Sequence, residues 1–269
     1  MNKTNVKIYN WLNMFALTAM VAVNALANIL PLGGNTSGQV SDRYPSLFTP
    51  SGTTFAIWGV IYAFLMVVFI RQLISRKSEL KVITQNMSGL FASSCALNIG
   101  WIFCWHFRQV TGATLIIFVL LINLIVLMTI VKYDKLMSMA LGIYTAWIIV
   151  ASVASIFVQA AYNGADLVSV SGETYAMIAV IIAGTVLTLI GIMGRNWTFM
   201  AVGIWSFAGI VNKHVAAYRS EYILVMGAAL LMIVVMLLGL AYLLYTGLTK
   251  QEGKIRNIIG EKSSEVLPG

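Results

Sequence analysis

The stretch from Pro45 to Tyr62, PSLFTPSGTTFAIWGVIY, joins a loop bounded by two prolines to an apolar segment that carries two large aromatic rings. Pro45 and Pro50 restrict the loop backbone, and the hydroxyl side chains that follow can cap the helix that we expect next. Trp58 and Tyr62 are four residues apart, a spacing that stacks two side chains on one helix face. Gly59 allows a ligand or a second backbone to come close. The stretch therefore predicts the mouth of a pocket at the start of a helix.

Composition places this helix in a membrane. The 269 residues are 59% hydrophobic and 10% charged, which is far from the usual composition of a soluble domain. Apolar runs of about 20 residues, the length that crosses a bilayer as a helix, recur along nearly the whole chain. They lie near residues 10 to 31, 53 to 74, 84 to 107, 110 to 131, 137 to 161, 174 to 194, 197 to 217 and 222 to 247. The runs do not alternate apolar and polar residues, as the strands of a membrane β-barrel do. We therefore predict an all-α integral membrane protein with about eight transmembrane helices.

The distribution of basic residues predicts the orientation. If both termini are cytoplasmic, most of the 17 Lys and Arg residues fall in the termini and the inner loops, as the positive-inside rule requires. The outer side then holds only Arg43, Arg108, Lys213 and Arg219. Because basic residues do not interleave with aromatic residues on a soluble surface, we expect membrane lipids rather than nucleic acid as partners. A bacterial cell membrane, with both termini in the cytoplasm, is the predicted location.

Motifs for catalysis or metal binding are not found in the sequence. It has no cluster of metal ligands, no glycine-rich phosphate loop and no nucleophile elbow. No Asp or Glu falls inside a predicted span, which argues against a proton-coupled carrier that relies on buried carboxylates. We therefore predict no catalytic residue, no metal and no required cofactor, and an enzyme is the least favoured class of function.

Aromatic and polar residues recur at helical spacing in two further spans. Asn98, Trp101 and Trp105 stand at i, i+3 and i+7 in the third span, and Trp147 and Ala151 share a face of the fifth. Such residues commonly hold helices together in membrane bundles. In the predicted topology the first loop and the indoles of the second and third spans also share the outer half of the bilayer. They therefore suit a cleft for a flat, amphipathic ligand.

Polar residues near the outer surface allow several interpretations. His106 and His214 lie at the outer ends of the third and seventh spans, where they could ligate a haem iron, hold a propionate or lie half-wetted at the membrane boundary. Lys213 could pair with an anionic ligand group or snorkel to a lipid phosphate. Trp205 and Asn212 share one face of the seventh span. We expect that span to pack on the first five and either extend their pocket or replace a partner subunit.

The segments PSLFTPSGTTFAIWGVIY, GLFASSCALNIGWIFCWHFRQ and YTAWIIVASVAS occur in this order in the second, third and fifth spans. They resemble the first loop with the second helix, the third helix and the fifth helix of the translocator protein family (TspO/MBR, tryptophan-rich sensory protein). The resemblance covers roughly residues 10 to 163, a five-helix unit. The chain departs from the family at residues 47 to 50, where Leu-Phe-Thr-Pro replaces Trp-x-Pro-Pro, and at Ser155, where an Asn is usual.

The resemblance implies a TspO-like five-helix bundle over residues 1 to 165 that encloses an apolar pocket. A three-helix transmembrane extension over residues 166 to 249 and a charged cytoplasmic tail over residues 250 to 269 would follow. Together with the spacing of the side chains, the matched positions give the expected ligand-binding residues Trp58, Tyr62, Asn98, Trp101, Trp105, Trp147 and Ala151. The expected pocket rim is Pro45, Phe48, Pro50, His106 and His214.

The function implied by the resemblance is binding. Members of the family bind tetrapyrroles such as protoporphyrin, and some bind sterols or synthetic aromatic ligands. We expect a sensory or translocator-like protein that takes a small hydrophobic ligand, aromatic or tetrapyrrole, from the outer face. The alternative is a secondary transporter or permease component for a small amphipathic solute. A second copy of the chain, in a homodimer, is an open alternative among the partners.

Overall fold

Residues 3–30, 32–75, 77–217 and 221–265 are described by the computed structural model, and this part of the chain folds into helices joined by short loops. The helices are α1 (Lys3–Ile29), α2 (Ser37–Asp42), α3 (Ile57–Ile74), α4 (Ser78–His106), α5 (Val110–Val131), α6 (Lys135–Tyr162), α7 (Val170–Met193), α8 (Thr198–Ala217) and α9 (Ile223–Glu265). Two 3-10 turns, Leu32–Gly34 and Gly52–Ala56, lie on either side of α2. Among the described residues, 7 helices are long and apolar enough to cross a membrane, and the prediction of an all-α membrane protein is confirmed.

The first five long helices form a closed ring. Helix α1 packs on α3, α3 on α6, α6 on α5, α5 on α4, and α4 returns to α1. A buried polar network crosses the ring: Asn24 on α1 donates to the side-chain oxygen of Asn98 on α4 (2.8 Å), and Asn98 donates to the hydroxyl of Tyr144 on α6 (3.1 Å). Side-chain hydrogen bonds of this kind help to hold membrane helices together, because lipid tails provide no hydrophobic drive for their association.

The three C-terminal long helices pack on one another and contact the ring at α6, mainly through α8 and to a smaller extent through α7. Helix α6 is buried over 78% of its most apolar window, whereas the other six spans are buried over 28% to 44%. It therefore lies at the centre of the molecule. Gly184 of α7 makes room for Met232 of α9, since a Cβ on this glycine would lie 2.7 Å from the methionine Cε. The backbone of α9 continues to Glu265, so the predicted charged tail is helical over 250–265, and residues 266–269 lie outside the described part.

Helix α8 corresponds to the predicted seventh span, near residues 197 to 217, but it is not one of the 7 helices that meet the length and composition criteria. Polar residues in its last turns lower its apolar character. It nevertheless runs beside α6 from end to end. Before its first turn, Asn196 donates to the carbonyl of Ser138 in the first turn of α6 (2.8 Å), and its 20 residues span about 30 Å. Its last turn reaches the first loop, which also contacts the far end of α6.

The first loop, between α1 and α3, is compact. Thr36 and Gln39 form a capping box at the start of α2. Gly33 has a φ of 63° and lies so close to the carbonyl of His106 that a Cβ would be 2.7 Å from its oxygen. The expectation that hydroxyl side chains cap the next helix is wrong. Ser51 makes no side-chain capping bond, because the chain enters α3 through the 3-10 turn Gly52–Ala56, whose geometry replaces a capped first turn.

Candidate functional site

Helices α3, α4 and α6 bring their aromatic side chains together in one cluster inside the ring. Trp58 stacks on Tyr62, as their spacing predicts, with ring centroids 5.6 Å apart and an interplanar angle of 22°. Trp58 also contacts Trp101 (5.9 Å) and Trp147 (6.3 Å). Trp105 stacks on Trp101 at 5.6 Å. These five residues are called the aromatic cluster below, and such ring contacts each add about 1 kcal/mol to the packing energy.

The aromatic cluster is attached to the first loop. The indole N–H of Trp105 donates to the carbonyl of Ser37 in the first turn of α2 (3.1 Å). Phe55, in the 3-10 turn before α3, meets Trp147 edge to face at 5.8 Å. The loop therefore covers the cluster, at the end of the bundle where α4 and α6 finish.

Four polar groups of the aromatic cluster have no hydrogen-bond partner among the described residues. They are the indole nitrogens of Trp58, Trp101 and Trp147 and the hydroxyl of Tyr62, and all four are buried. Buried Trp N–H and Tyr O–H groups normally find a partner, since leaving one unpaired costs about 1 to 3 kcal/mol. Because these four atoms have almost no exposed surface, they can donate hydrogen bonds to a ligand only if the rings that carry them move.

The pocket expected between the indoles and Ala151 is almost closed. A cavity of about 30 Å³ lies there, lined by Trp101, Trp105, Trp147 and Ala151 and covered by Pro50. It has room for about one water molecule. The rings stack on one another and fill the space that the spacing of the sequence had suggested for a ligand.

A much larger cleft lies on the other side of Trp58, between α1 and α3 and beneath the first loop. Its volume is about 450 Å³, which falls within the range of about 300 to 1,000 Å³ typical of small-molecule sites. Trp58, Gly59 and Tyr62 line it from α3, and Asn24 and Asn28 line it from α1. A Cβ on Gly59 would meet nothing within 4 Å, so this glycine faces the open space of the cleft. The Gly59 position therefore agrees with the close approach that the sequence suggested.

The α1 wall of the cleft was missed by the sequence reasoning. Asn24 and Asn28 are four residues apart in an apolar run, which is the same spacing that drew attention to Trp58 and Tyr62. Two amides on one face of a membrane helix are costly unless they are bonded or line a polar space. The pair of Asn24 and Asn28 was therefore the sequence feature from which the α1 wall could have been predicted.

Asn98 lies apart from the cleft. Its side chain is fully buried in the polar network with Asn24 and Tyr144, and it lines none of the cavities described above. The structure thus places Asn98 between helices, in the role that polar residues commonly take in membrane bundles.

The expected rim residues lie in different surroundings. Phe48 is fully buried and stacks on Phe157 of α6 at 5.2 Å, so it anchors the loop rather than bordering an opening. Pro45 is exposed, and Pro50 covers the small cavity beside Ala151.

The two histidines and the neighbouring lysine are buried, and the expectation of half-wetted or snorkelling side chains is wrong. His106 is 1% exposed, with its Nδ1–H directed to the carbonyl of Ile102 (2.9 Å). His214 donates through Nε2 to the carbonyl of Leu47 (2.9 Å), and Lys213 donates to the hydroxyl of Thr49 (2.8 Å). The loop folds over the end of α8 and covers Lys213 and His214. Among the described residues, no three His, Cys, Asp or Glu side chains are grouped to hold a metal ion.

Comparison with known protein families identifies a match over most of the chain. A family model described as TSPO-like protein matches residues 10–242. The match continues well beyond residue 163, where the resemblance read from the motifs ended, and it includes α7, α8 and much of α9. No curated protein and no solved structure matches this chain.

Proposed function

The chain belongs to the TSPO-like protein family, and we propose that it binds a small, flat hydrophobic ligand, aromatic or tetrapyrrole, in the cleft between α1 and α3. The observation that carries the proposal is the cleft of about 450 Å³, which is lined on the α3 side by Trp58, Gly59 and Tyr62. A flat ligand could lie against the backbone at Gly59, where there is no side chain, and its edge could contact the rings of the aromatic cluster.

The polar groups around the cleft favour a ligand that is apolar over most of its surface and carries acceptor atoms. Within the described part of the chain, the indole nitrogen of Trp58 and the hydroxyl of Tyr62 have no hydrogen-bond partner, and both residues line the cleft, although the two atoms themselves are buried. Asn28 and Thr53 add polar groups near the loop. A few polar groups placed in a largely apolar pocket orient a ligand. A shift of the Trp58 and Tyr62 rings on binding would let its carbonyl or carboxylate oxygens accept hydrogen bonds from these two donors.

Filling the cleft tests this function. In G59L the new side chain would enter the cleft, and we expect protoporphyrin to bind at least about tenfold more weakly, which corresponds to about 1.4 kcal/mol. Titration of the purified protein in detergent, followed by tryptophan fluorescence quenching, gives the dissociation constant.

The matched control is G227L on α9, because a Cβ on Gly227 also meets nothing within 4 Å but lies far along the chain from the cleft. Binding to G227L should stay within about twofold of the unsubstituted protein. Equal binding to both variants would rule out the cleft as the site. Accumulation of protoporphyrin in proteoliposomes under an ion gradient would instead indicate the transport alternative.

A further inference from the structure

Residues 51 to 56, called the wall segment, separate the cleft from α8. Gly52, Thr53, Phe55 and Ala56 line the cleft between α1 and α3. The opposite side of the same segment lies against α8, where Thr53 and Thr54 border a smaller groove of about 190 Å³. One short piece of backbone is therefore shared by the proposed ligand site and the C-terminal helices.

Helix α8 holds the wall segment through three hydrogen bonds on a single face. The amide of Ser51 donates to the carbonyl of Gly209 (3.1 Å), and the indole of Trp205 donates to the carbonyl of Thr54 (2.9 Å). Asn212 donates to the hydroxyl of Ser51 (3.3 Å). Positions 205, 209 and 212 follow the i, i+4 and i+7 spacing of one helical stripe, so α8 presents a continuous surface to the segment.

Close approach at Gly209 fixes the distance between α8 and the wall segment. A Cβ on Gly209 would lie 2.1 Å from the hydroxyl oxygen of Thr54 and 3.0 Å from its Cβ. No side chain fits there unless α8 or the segment moves. Because the cleft lies directly behind the segment, such a movement changes the shape of the cleft.

The loop before the wall segment is held by the end of the same helix. Lys213, only 8% exposed, donates to the hydroxyl of Thr49 (2.8 Å) and lies 3.5 Å from a carboxylate oxygen of Asp42. His214 donates to the carbonyl of Leu47 (2.9 Å). Because a hydrogen bond from a charged donor such as Lys213 is stronger than one between neutral groups, the end of α8 anchors the loop.

From these contacts we infer that α8 regulates the ligand site by setting the position of the wall segment, an inference that rests on the proposed function. The cleft and α8 are coupled because they share one segment, and such coupling is reciprocal. A ligand that shifts the segment changes the surroundings of Trp205, and a displacement of α8 changes the affinity of the cleft. The C-terminal helices thus act on the site of the five-helix ring.

The experiment compares G209A with G227A, two identical substitutions of helical glycines. Hydrogen exchange of the peptide covering residues 47 to 56 needs no ligand, and this peptide includes the Ser51 amide that donates to Gly209. We expect exchange in G209A to rise by at least about tenfold, and protoporphyrin affinity to fall by a similar factor, while G227A changes neither. Replacing Thr54 as well, in T54A/G209A, removes the closest clashing atoms and should restore part of both properties.

A second pair of variants covers the case in which G209A fails to fold. W205F removes the donor to Thr54 without adding bulk, whereas W197F alters a half-exposed tryptophan at the start of α8. Faster exchange in W205F, with unchanged exchange in W197F, supports the inference. Exchange and affinity equal to those of the unsubstituted protein, in both G209A and W205F, would overturn it. A protein that binds no protoporphyrin, yet shows faster exchange in G209A, would contradict the proposed function and leave the α8 contact established.

Discussion

Asn98 joins three helices through one side chain. It accepts a hydrogen bond from Asn24 on α1 and donates one to Tyr144 on α6, while its own backbone belongs to α4. Its position at the start of the Asn-Trp-Trp stripe suggested a ligand contact. The stripe points inward as predicted, but Asn98 lies deeper in the bundle than Trp101 and Trp105, where polar partners from other helices are available.

We expect N98A to lower the free energy of unfolding by about 1 to 2 kcal/mol, because two interhelical hydrogen bonds disappear and Asn24 loses its acceptor. Reversible unfolding in mixed detergent and SDS micelles measures the change. N28A is the control, since the Asn28 amide donates within α1 to the carbonyl of Asn24 (2.9 Å) and should cost less than about 0.5 kcal/mol. A smaller loss in N98A than in N28A would show that the network does not stabilise the ring.

At the residue scale, the sequence predicted contacts between side chains of the same helix and missed contacts with residues from other parts of the chain. The four-residue spacing of Trp58 and Tyr62 was enough to predict their stacking, because helix geometry alone determines it. The bond from Trp105 to the carbonyl of Ser37 joins residues 68 positions apart. No periodic pattern in the sequence predicts a contact between residues so far apart along the chain. The same limit hid the cleft, whose second wall comes from α1.

Among the elements, α3 and α6 are joined at the end opposite the cleft. Arg71, in the last turn of α3, makes a two-pronged ion pair with Asp134, the residue before α6. Asp134 also accepts a hydrogen bond from the amide of Met137 (2.9 Å) and so caps α6. The Asp134 carboxylate therefore caps the central helix α6 and also attaches it to α3.

Two substitutions of Asp134 separate these roles. D134N keeps a side-chain cap but removes the charge, and we expect a loss of about 1 kcal/mol, the upper value for a partly exposed ion pair. D134A also removes the cap and should cost about 1 kcal/mol more. Thermal unfolding in detergent measures both, with E79Q in the first turn of α4 as a control on the same side of the bundle. Equal losses in D134N and D134A would show that the cap contributes nothing.

The same carboxylate should make the protein sensitive to acid. Burial alone would raise the pKa of Asp134, but hydrogen bonds from Arg71 and from the Met137 amide, with the charge of Arg71, lower it below its ordinary value. A pKa lowered in the folded state gives stability that is present above the ordinary pKa and is lost as the pH falls through the folded-state pKa. The melting temperature should therefore fall more steeply in the unsubstituted protein than in D134N between about pH 5 and pH 2. Parallel curves would contradict this contribution.

At the scale of the whole molecule, composition predicted the fold class, an all-α membrane protein. The first five long helices, whose apolar runs are long enough to identify from the sequence, form the closed ring. The relation between the ring and the C-terminal helices was harder to predict. It depends on α8, whose polar last turns are explained only by the loop from residues 47 to 54 that covers them. A loop that packs on a helix 161 to 167 residues later in the chain has no local signal in the sequence.

The number of membrane crossings depends on α8, and it decides the side on which the C-terminus lies. Seven crossings would put the termini on opposite sides, whereas a crossing by α8 puts them on the same side. Helix α8 lies beside α6 from the Asn196 contact at one end to the first loop at the other, and so we expect it to cross. Residues before and after α8 should then be accessible from opposite faces.

Single cysteines introduced into a C95A/C104A background test this. Met193, at the end of α7, and Glu221, just before α9, are both exposed. If α8 crosses and the termini are cytoplasmic, a membrane-impermeant maleimide should label E221C in intact cells and should label M193C only after permeabilisation. Y133C and N163C, on either side of α6, provide the reference for a helix that qualifies as a span by length and composition. Labelling of both test positions from one side would mean that α8 does not cross. The opposite labelling order would keep the crossing and reverse the predicted orientation.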